Sequence, residues 1–201
     1  MDTIHSHRDA LPVLSESQRE LRERIECNDP SVSAAEYDAF VLSRGRDDIA
    51  CAVRDVLAGL RPALHVERVL EVAMGTGIGT RRLRELPGVA VHGIDLRADW
   101  MRFAVEHGRI AEGRAVCASF DALPFPPASF DLYTGLAFLN HRHDPAAFYR
   151  EAHRVLAEDG SLFLPWVKPK PGSIEREASL MEEHAFHVTR REAWYLLAHK
   201  A

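Results

Sequence analysis

Residues 69–79 read VLEVAMGTGIG, an apolar run that passes into glycines at three alternate positions. The apolar run contains one acidic residue, Glu71, at a position that a strand inside a sheet would bury. A glycine turn between a strand and a helix brings a ligand close to backbone N–H groups and to the helix N-terminus. This stretch therefore predicts the strand–turn–helix unit of an α/β fold, with a ligand site at the turn.

β-rich runs and helical segments alternate along the chain from this point. RVLEVAM is followed by TRRLREL, VAVHGID by ADWMRFAVEHG and FDLYTGLAFL by DPAAFYREAHRVLAE, with further β-rich runs at RAVCASF and SLFLPWV. Strands separated by helices are typical of βαβ units, which form a parallel sheet with helices on both faces. The last segment, FHVTRREAWYLLAHKA, predicts an antiparallel hairpin at one edge. We therefore predict an α/β fold with a doubly wound, seven-stranded, mostly parallel sheet.

Three helices are predicted ahead of the first strand, whereas residues 1–14 carry no strong pattern and suggest a mobile tail. Two pairs of residues have the spacing of capping boxes, which start helices: Ser15 with Gln18, and Ser33 with Glu36. The third helix has apolar residues at helical spacing from Ile49 to Leu60, and Gly59 and Pro62 are expected to mark its end.

Composition limits the class of protein. The chain has 201 residues, of which 46% are hydrophobic and 27% charged, and its net charge is -5. This balance is typical of one globular domain, and the lack of a long basic run disfavours nucleic-acid binding. Cys27, Cys51 and Cys117 are too widely spaced for a disulfide framework or a zinc knuckle. We expect all three to be reduced and mostly buried.

The sequence also bears on location. No apolar run approaches the ~20 residues that a bilayer span requires. The first residues, MDTIHSHRDALPVL, lack the basic segment and apolar core of a signal peptide. We therefore expect a cytoplasmic protein that does not bind a membrane.

The glycine turn could serve dinucleotides or nucleosides that lack a diphosphate. The dinucleotide fingerprint G-x-G-x-x-G, counted from Gly75 and Gly77, requires a third glycine where the chain has Thr80. A carboxylate at Glu71 would repel a diphosphate and attract a ligand that carries an ammonium group. These residues favour a cationic nucleoside over NAD.

VLEVAMGTG resembles the first motif of class I S-adenosylmethionine-dependent methyltransferases, of the type 11 kind. HGIDLRADWMRFA is similar to their second-strand motif, DALPFPPASFDLYTGLAFLNH to the third and fourth motifs, and EAHRVLAEDGSLFL to the helix and turn entering strand five. The resemblance implies a single Rossmann-like methyltransferase domain with an antiparallel last strand and S-adenosylmethionine as its cofactor. Residues 1–62 would form an N-terminal helical cap, and residues 63–201 the cofactor-binding core.

The resemblance assigns roles to the residues of the first two motifs. Gly75 and Gly77 should line the methionine end of the cofactor, with Glu71 organising that loop. Asp95 ends the second strand, where an acid can accept both ribose hydroxyls. Leu96 should pack on the ribose or on the adenine edge.

Two departures from the family pattern lie at the predicted site, whereas Ala157 through Asp159, in place of the usual proline-glycine turn, affect only a connection. Ala73 replaces the first glycine, and its methyl group is tolerable if φ is negative. The acid that usually contacts the adenine amino group is replaced by Ser119, and Asp121 follows two positions later. Ser119 and Asp121 stay open as alternatives, beside the backbone of Phe120.

The remaining candidates come from the cap and from the segment after the fourth strand. Tyr37 stands where related enzymes often bring an aromatic residue over the methionine end, with ordinary helix packing as the alternative, and Leu136 joins the cofactor-binding set. His141 is the candidate general base because imidazole titrates near neutral pH, although it could instead cap a helix or face solvent. A metal site shared with His143 is disfavoured, since no further ligand cluster is evident.

We expect an enzyme that transfers a methyl group to a small-molecule acceptor, because only a short roof covers the site. The alternative is an S-adenosylmethionine-binding protein without transferase activity, acting as a partner subunit or a regulator. A third hypothesis is an NAD-dependent reductase, against which Thr80 argues. The sequence does not indicate the acceptor or the oligomeric state.

Overall fold

The computed structural model of the protein describes residues 13–167 and 169–201. The prediction of a mobile N-terminal tail therefore falls, for residues 1–12, outside the described residues. The helices are α1 (Glu16–Glu26), α2 (Ala34–Ser43), α3 (Arg46–Leu64), α4 (Ile78–Leu83), α5 (Ala98–Glu106), α6 (Pro145–Val155) and α7 (Ser173–Glu183). The strands are β1 (Arg68–Val72), β2 (Ala90–Asp95), β3 (Ala115–Cys117), β4 (Phe130–Thr134), β5 (Leu156–Pro165), β6 (Phe186–Glu192) and β7 (Tyr195–Lys200).

The strands form one sheet in the order β3-β2-β1-β4-β5-β7-β6. Strands β1 to β5 pair in parallel, whereas β7 is antiparallel to both β5 and β6. The predicted doubly wound, seven-stranded, mostly parallel sheet is therefore confirmed. The predicted hairpin is also present, with β6 at the edge of the sheet.

The carboxyl ends of the parallel strands lie along one edge of the sheet. Because β7 runs against both of its neighbours, the β6–β7 turn at Ala193 and Trp194 lies at this same edge. The Trp194 carbonyl accepts a hydrogen bond from the Trp166 N–H over 2.7 Å, which fastens the turn to the end of β5. Ligands of open α/β sheets bind at this edge.

Helices cover both faces of the sheet, so the central strand β1 is buried on both sides. Leu70 and Val72 pack into the core on one face, whereas Val69 packs on the other face with Val53 of α3. Side chains alternate along a strand, and Glu71 therefore points to the same face as Val69. The sheet thus buries the one acidic residue of β1 on the side of α3.

The helices before β1 begin where the sequence predicts. Both predicted capping boxes form, at the starts of α1 and α2. The predicted end of α3 is wrong, because the helix continues through Gly59 and Pro62 to Leu64. The helix ends at His65, whose positive φ of 48° reverses the chain while its N–H still bonds to the Arg61 carbonyl.

Two expectations from composition can be compared with the structure. The cysteines are free, but only Cys51 is partly buried, and Cys27 and Cys117 are exposed. Their predicted burial is wrong because Cys27 caps the C-terminus of α1 and Cys117 ends the short edge strand β3. Among the described residues, no helix has the length and apolar character that a bilayer span needs.

A buried ion pair fastens α2 to the glycine turn. Asp38 of α2 is 7% exposed and accepts hydrogen bonds from Thr76 Oγ1 over 2.7 Å and from Arg109 Nη2 over 2.8 Å. Arg109 also donates to the Thr76 carbonyl over 3.0 Å. Burial alone would raise the pKa of Asp38, but the hydrogen bonds from Arg109 and Thr76 hold it below its usual value. The carboxylate therefore stays ionised and fixes the cap on the core.

We expect Arg109→Leu to lower the free energy of unfolding by about 3–5 kcal/mol, because it leaves the Asp38 carboxylate buried without its ionic partner. The double variant Asp38→Leu/Arg109→Leu should lose less free energy of unfolding than the single variant, because it leaves no unpaired charge buried. Arg22→Leu, which breaks the exposed pair of Arg22 with Glu26, should cost less than about 1 kcal/mol. Urea denaturation measures all three, and a double variant less stable than Arg109→Leu would contradict the assignment.

Candidate active site

A single cavity of 1870 Å³ lies along the carboxyl edge of the sheet, beneath the helices that precede β1. A typical site for one ligand has a volume of roughly 300–1,000 Å³, so this cavity has room for two ligands. Nine of the predicted site residues line it: Tyr37, Ala73, Asp95, Leu96, Ser119, Phe120, Asp121, Leu136 and His141.

The turn after β1 uses backbone conformations that favour glycine. Gly75 and Gly77 have φ values of 55° and 78°. Ala73 also has a positive φ, of 50°, so the condition under which its methyl group would be tolerated without strain is not met. A left-handed alanine costs roughly 1–2 kcal/mol, which the surrounding contacts of the turn must offset. The turn therefore keeps its shape although Ala73 replaces the first glycine of the pattern, and the backbone of Ala73 is strained.

The glycines of the turn serve different contacts. A Cβ added at Gly75 would lie 3.1 Å from the Tyr37 ring, so the bare backbone there allows Tyr37 to cover the turn. A Cβ at Gly77 would meet Ala104 at 3.0 Å, so the bare backbone of Gly77 lets the turn pack closely against α5. A Cβ at Gly79 would lie 2.1 Å from Glu71 Oε1, so Gly79 makes room for that carboxyl group.

Glu71 lies behind the turn and is 1% exposed. Its carboxyl group accepts a hydrogen bond from the Thr80 hydroxyl, at the position where a dinucleotide site would have glycine. Burial raises the pKa of Glu71 from 4.5 to about 7, against the opposing effects of the Thr80 hydrogen bond and of the Arg46 guanidinium. Near neutral pH, small changes in the surroundings of Glu71 therefore decide whether its carboxyl group is protonated or ionised.

Arg46 is a site residue that the sequence analysis missed. It begins α3, is half-buried, and lines both the large cavity and a recess of about 10 Å³ that also borders Glu71. Within the described part of the chain, its guanidinium makes one hydrogen bond, a long one from Nη1 to the Leu136 carbonyl at 3.4 Å. Its guanidinium can therefore bind an anion beside Glu71. In sequence, only its position after the helix-starting Gly45 distinguishes it from other arginines.

Asp95 connects the end of β2 to the glycine turn. Its Oδ2 accepts the Gly75 N–H over 2.8 Å, and its Oδ1 accepts the Arg97 N–H over 2.9 Å. Burial raises the pKa of Asp95, although these N–H groups oppose the effect. Each carboxylate oxygen can accept a second hydrogen bond, so Asp95 can still bind two hydroxyl groups at the cavity wall.

The side of the cavity next to β3 carries both alternatives for the adenine contact. Ser119 Oγ accepts the Asp121 N–H over 3.2 Å, which closes a turn. Asp121 Oδ1 is buried without a hydrogen-bond partner among the described residues. The Phe120 ring packs on Phe138 and Phe148 and fixes the loop backbone. Leu96, 67% exposed on the neighbouring loop, leaves an apolar surface open.

Tyr37 reaches the turn from α2 through a stack of side chains. Its ring lies on that of Trp100, with centroids 3.9 Å apart, and the Arg97 guanidinium lies 4.5 Å from the centroid of the Trp100 ring. Both of the roles considered for Tyr37 are therefore compatible with its position, since it packs in a helix interface and also lines the cavity.

His141 lies in a short 3-10 turn, Leu139–His141, and is exposed at the cavity wall. It does not cap the next helix, because Asp144 accepts the Ala147 N–H there over 3.1 Å. Within residues 13–167 and 169–201, no group of three or more His, Cys, Asp or Glu side chains is arranged to bind a metal. His141 is therefore placed to meet a ligand in the cavity or solvent.

Comparisons with known proteins match this chain to methyltransferases. A family model described as a methyltransferase domain matches residues 70–164. The chain is 33% identical over 140 residues to the malonyl-acyl-carrier protein O-methyltransferase of Halorhodospira halophila, covering 62% of this chain and 44% of that protein. It is 31% identical over 143 residues to the 27-O-demethylrifamycin SV methyltransferase of Amycolatopsis mediterranei, covering 68% of this chain and 53% of that protein.

The chain thus spans about half the length of the curated relatives that it matches. Among solved structures, that of a SAM-dependent methyltransferase from Aquifex aeolicus is similar with a TM-score of 0.57 and 16% sequence identity. The similarity covers 70% of this chain and 86% of that one, and it concerns the fold.

The raised pKa of Glu71 predicts a pH dependence of stability. The folded protein holds the Glu71 proton more tightly than the unfolded chain, so this stabilisation is present below pH 4.5 and is lost as the pH rises to about 7. We expect Glu71→Gln to flatten the pH profile in that window and to be more stable than the parent at pH 8, by up to about 3 kcal/mol. Urea denaturation at pH 5 and pH 8 measures the difference.

The control is Glu20→Gln, at an exposed position of α1, which should keep the pH profile of the parent. A Glu71→Gln variant with the same pH profile as the parent would contradict the assignment.

Proposed function

The chain belongs to the class I S-adenosylmethionine-dependent methyltransferases, and we propose that it transfers the methyl group of this cofactor to a small-molecule acceptor. The observation that carries the proposal is the 2.8 Å hydrogen bond from the Gly75 N–H to Asp95. This bond joins the glycine turn to the acid proposed to bind the ribose. Both lie at the wall of one cavity, which also has room for a second ligand. The rifamycin-related name of one relative supports a small acceptor.

The residues at the turn fit the methionine end of the cofactor, which carries an ammonium group and a carboxylate. Glu71 offers a carboxyl group for the ammonium, and a recess just large enough for one water molecule lies between Glu71 and the turn. Arg46 offers a guanidinium for the carboxylate. An opposite charge also favours the ionised form of Glu71, so bound ligand would promote its ionisation. Tyr37 would cover this end from α2.

The residues on the side of β2 and β3 fit the adenosine part. Asp95 would accept the two ribose hydroxyls, and Leu96 would lose its exposure by packing on the base. Between the two alternatives for the adenine amino group, we favour Asp121, because its buried Oδ1 lacks a partner within the described residues. Ser119 would then act through the turn that it forms with Asp121.

S-adenosylmethionine supplies an electrophilic methyl group, so transfer needs alignment and the exclusion of water more than covalent help from the protein. The helices before β1 and the aromatic side chains beneath them would exclude water from the cavity. An acceptor hydroxyl or ammonium must lose its proton, and His141 at the cavity wall is the proposed base. Leu136 would pack between the cofactor and the acceptor.

Calorimetry and a transfer assay test the proposal. S-adenosylmethionine and S-adenosylhomocysteine should bind, whereas NAD should not, and tight binding of NAD would contradict the assignment. Transfer of labelled methyl to a panel of small phenols, carboxylic acids and amines distinguishes an enzyme from a protein that only binds the cofactor. Binding without transfer to any of them would favour the non-catalytic alternative.

Asp95→Ala should weaken S-adenosylhomocysteine binding about 100-fold or more, because two hydrogen bonds to a charged acceptor are lost. The circular dichroism spectrum should stay that of the parent, because Asp95 lies at the cavity wall. Asp99→Ala, which removes an exposed carboxylate that pairs with Arg97 over 2.7 Å, is the matched control and should bind normally. Unchanged affinity in Asp95→Ala would refute the ribose role.

Arg46→Leu should weaken S-adenosylhomocysteine binding at least about tenfold, since a charge-assisted hydrogen bond to the carboxylate is lost. Binding of 5′-methylthioadenosine, which lacks the amino acid part, should not change. Arg102→Leu, on the exposed side of α5, serves as the control. Equal losses for both ligands would mean that Arg46 acts on the shape of the site and does not bind the carboxylate.

A further inference from the structure

The cavity extends well beyond the residues assigned to the cofactor. Past Arg46 it continues between α3 and the β6–β7 hairpin; we call this part the α3 groove. Its apolar wall is formed by six residues: Ala52, Val56, Gly59, Leu60, Val167 and Trp194. Because α3 rises about 1.5 Å per residue, the lining from Ile49 to Leu60 is about 16 Å long. This length exceeds what a compact acceptor would occupy.

Gly59 has no packing or conformational reason to be glycine. It lies inside α3, and a Cβ added there would meet no atom within 4 Å. Its φ is not positive, so an alanine would adopt the same backbone. Glycine inside a helix costs roughly 0.5–1 kcal/mol relative to alanine, so the chain gives up stability here. Gly59 lines the cavity and is exposed, so the missing side chain leaves the α3 side of the groove open.

Trp194 lines the groove from the turn between β6 and β7. Its ring is half-buried and meets Tyr195 edge-on, with centroids 5.0 Å apart. The hydrogen bond between its carbonyl and Trp166 holds the turn at the end of β5. The ring therefore offers a fixed apolar surface to the same cavity that Gly59 lines.

The charges around the groove do not select an ionic ligand. The cavity lining on this side includes three acidic and three basic side chains, namely Asp48, Asp55, Glu192, Arg44, Lys170 and Arg190. Since the two signs balance, burial of apolar surface is the main source of affinity that the groove can provide.

We propose that the α3 groove binds an acceptor with an extended apolar body of the acyl-chain class, with the reacting end at the methyl donor. The inference rests on the proposed function, because the cofactor fills the other half of the same cavity. Three features support this acceptor class. The groove has an apolar lining, it is open at Gly59, and it is continuous with the part of the cavity assigned to the cofactor.

Calorimetry with straight-chain alkanoates from butanoate to dodecanoate, below their micelle concentrations, tests the groove in protein saturated with S-adenosylhomocysteine. Affinity should rise up to about fourfold per added methylene until the groove is filled. Gly59→Leu should lower dodecanoate affinity at least tenfold, with unchanged S-adenosylhomocysteine affinity and no loss of thermal stability. Ala58→Leu, the same kind of change at an exposed neighbour outside the lining, should behave like the parent.

Two results would overturn the inference. An affinity that does not depend on chain length would mean that the groove takes another occupant, such as a second protein. A chain-length dependence that Gly59→Leu leaves intact would place the alkyl chain elsewhere. Failure of S-adenosylhomocysteine to bind the parent protein would instead overturn the proposed function, and this inference with it.

Discussion

The hydrogen bond from the Gly75 N–H to the Asp95 carboxylate is the contact on which the rest of the site depends. It joins the turn after β1 to the end of β2, so that two loops from neighbouring parallel strands form one surface. The turn can make this contact because Gly75 adopts a positive φ and leaves space for Tyr37 above it. A side chain at that position would separate the turn, the cap and the acid from one another.

Two buried carboxyl groups near the turn have opposite electrostatic environments. Asp38 pairs with Arg109, so it stays ionised and serves to hold α2 on the core. Glu71 has the Thr80 hydroxyl as its partner and no salt bridge among the described residues, and burial raises the pKa of Glu71 to about 7 even though the Arg46 guanidinium opposes the rise. The first group has its counter-charge within the protein. The second borders a recess with room for one water molecule, through which a ligand cation in the cavity could stabilise its charge, and a strongly shifted pKa at a cavity is a feature expected of a binding residue.

Residue positions that depend on local pattern could be predicted from the sequence. Asp95, Ser119 and His141 line one cavity because they follow parallel strands whose ends meet at one edge. Features that depend on distant neighbours could not be predicted. Ala73 adopts a positive φ against its intrinsic preference, since the strands on either side fix the turn. Arg46 comes from a helix far from the glycine motif in sequence.

The sequence by itself determined the order of strands and helices along the chain, the glycine turn, and the two acids, one within β1 and one at the end of β2. Hydrophobic periodicity and glycine chemistry are local, so a reader can recover them from neighbouring residues. Only the tertiary structure decided which charges meet and what space is left between elements. The pairing of Asp38 with Arg109, the isolation of Glu71 and the open side of Gly59 all depend on how α2 and α3 pack over the sheet. Burial and electrostatics act through space, and sequence distance does not encode them.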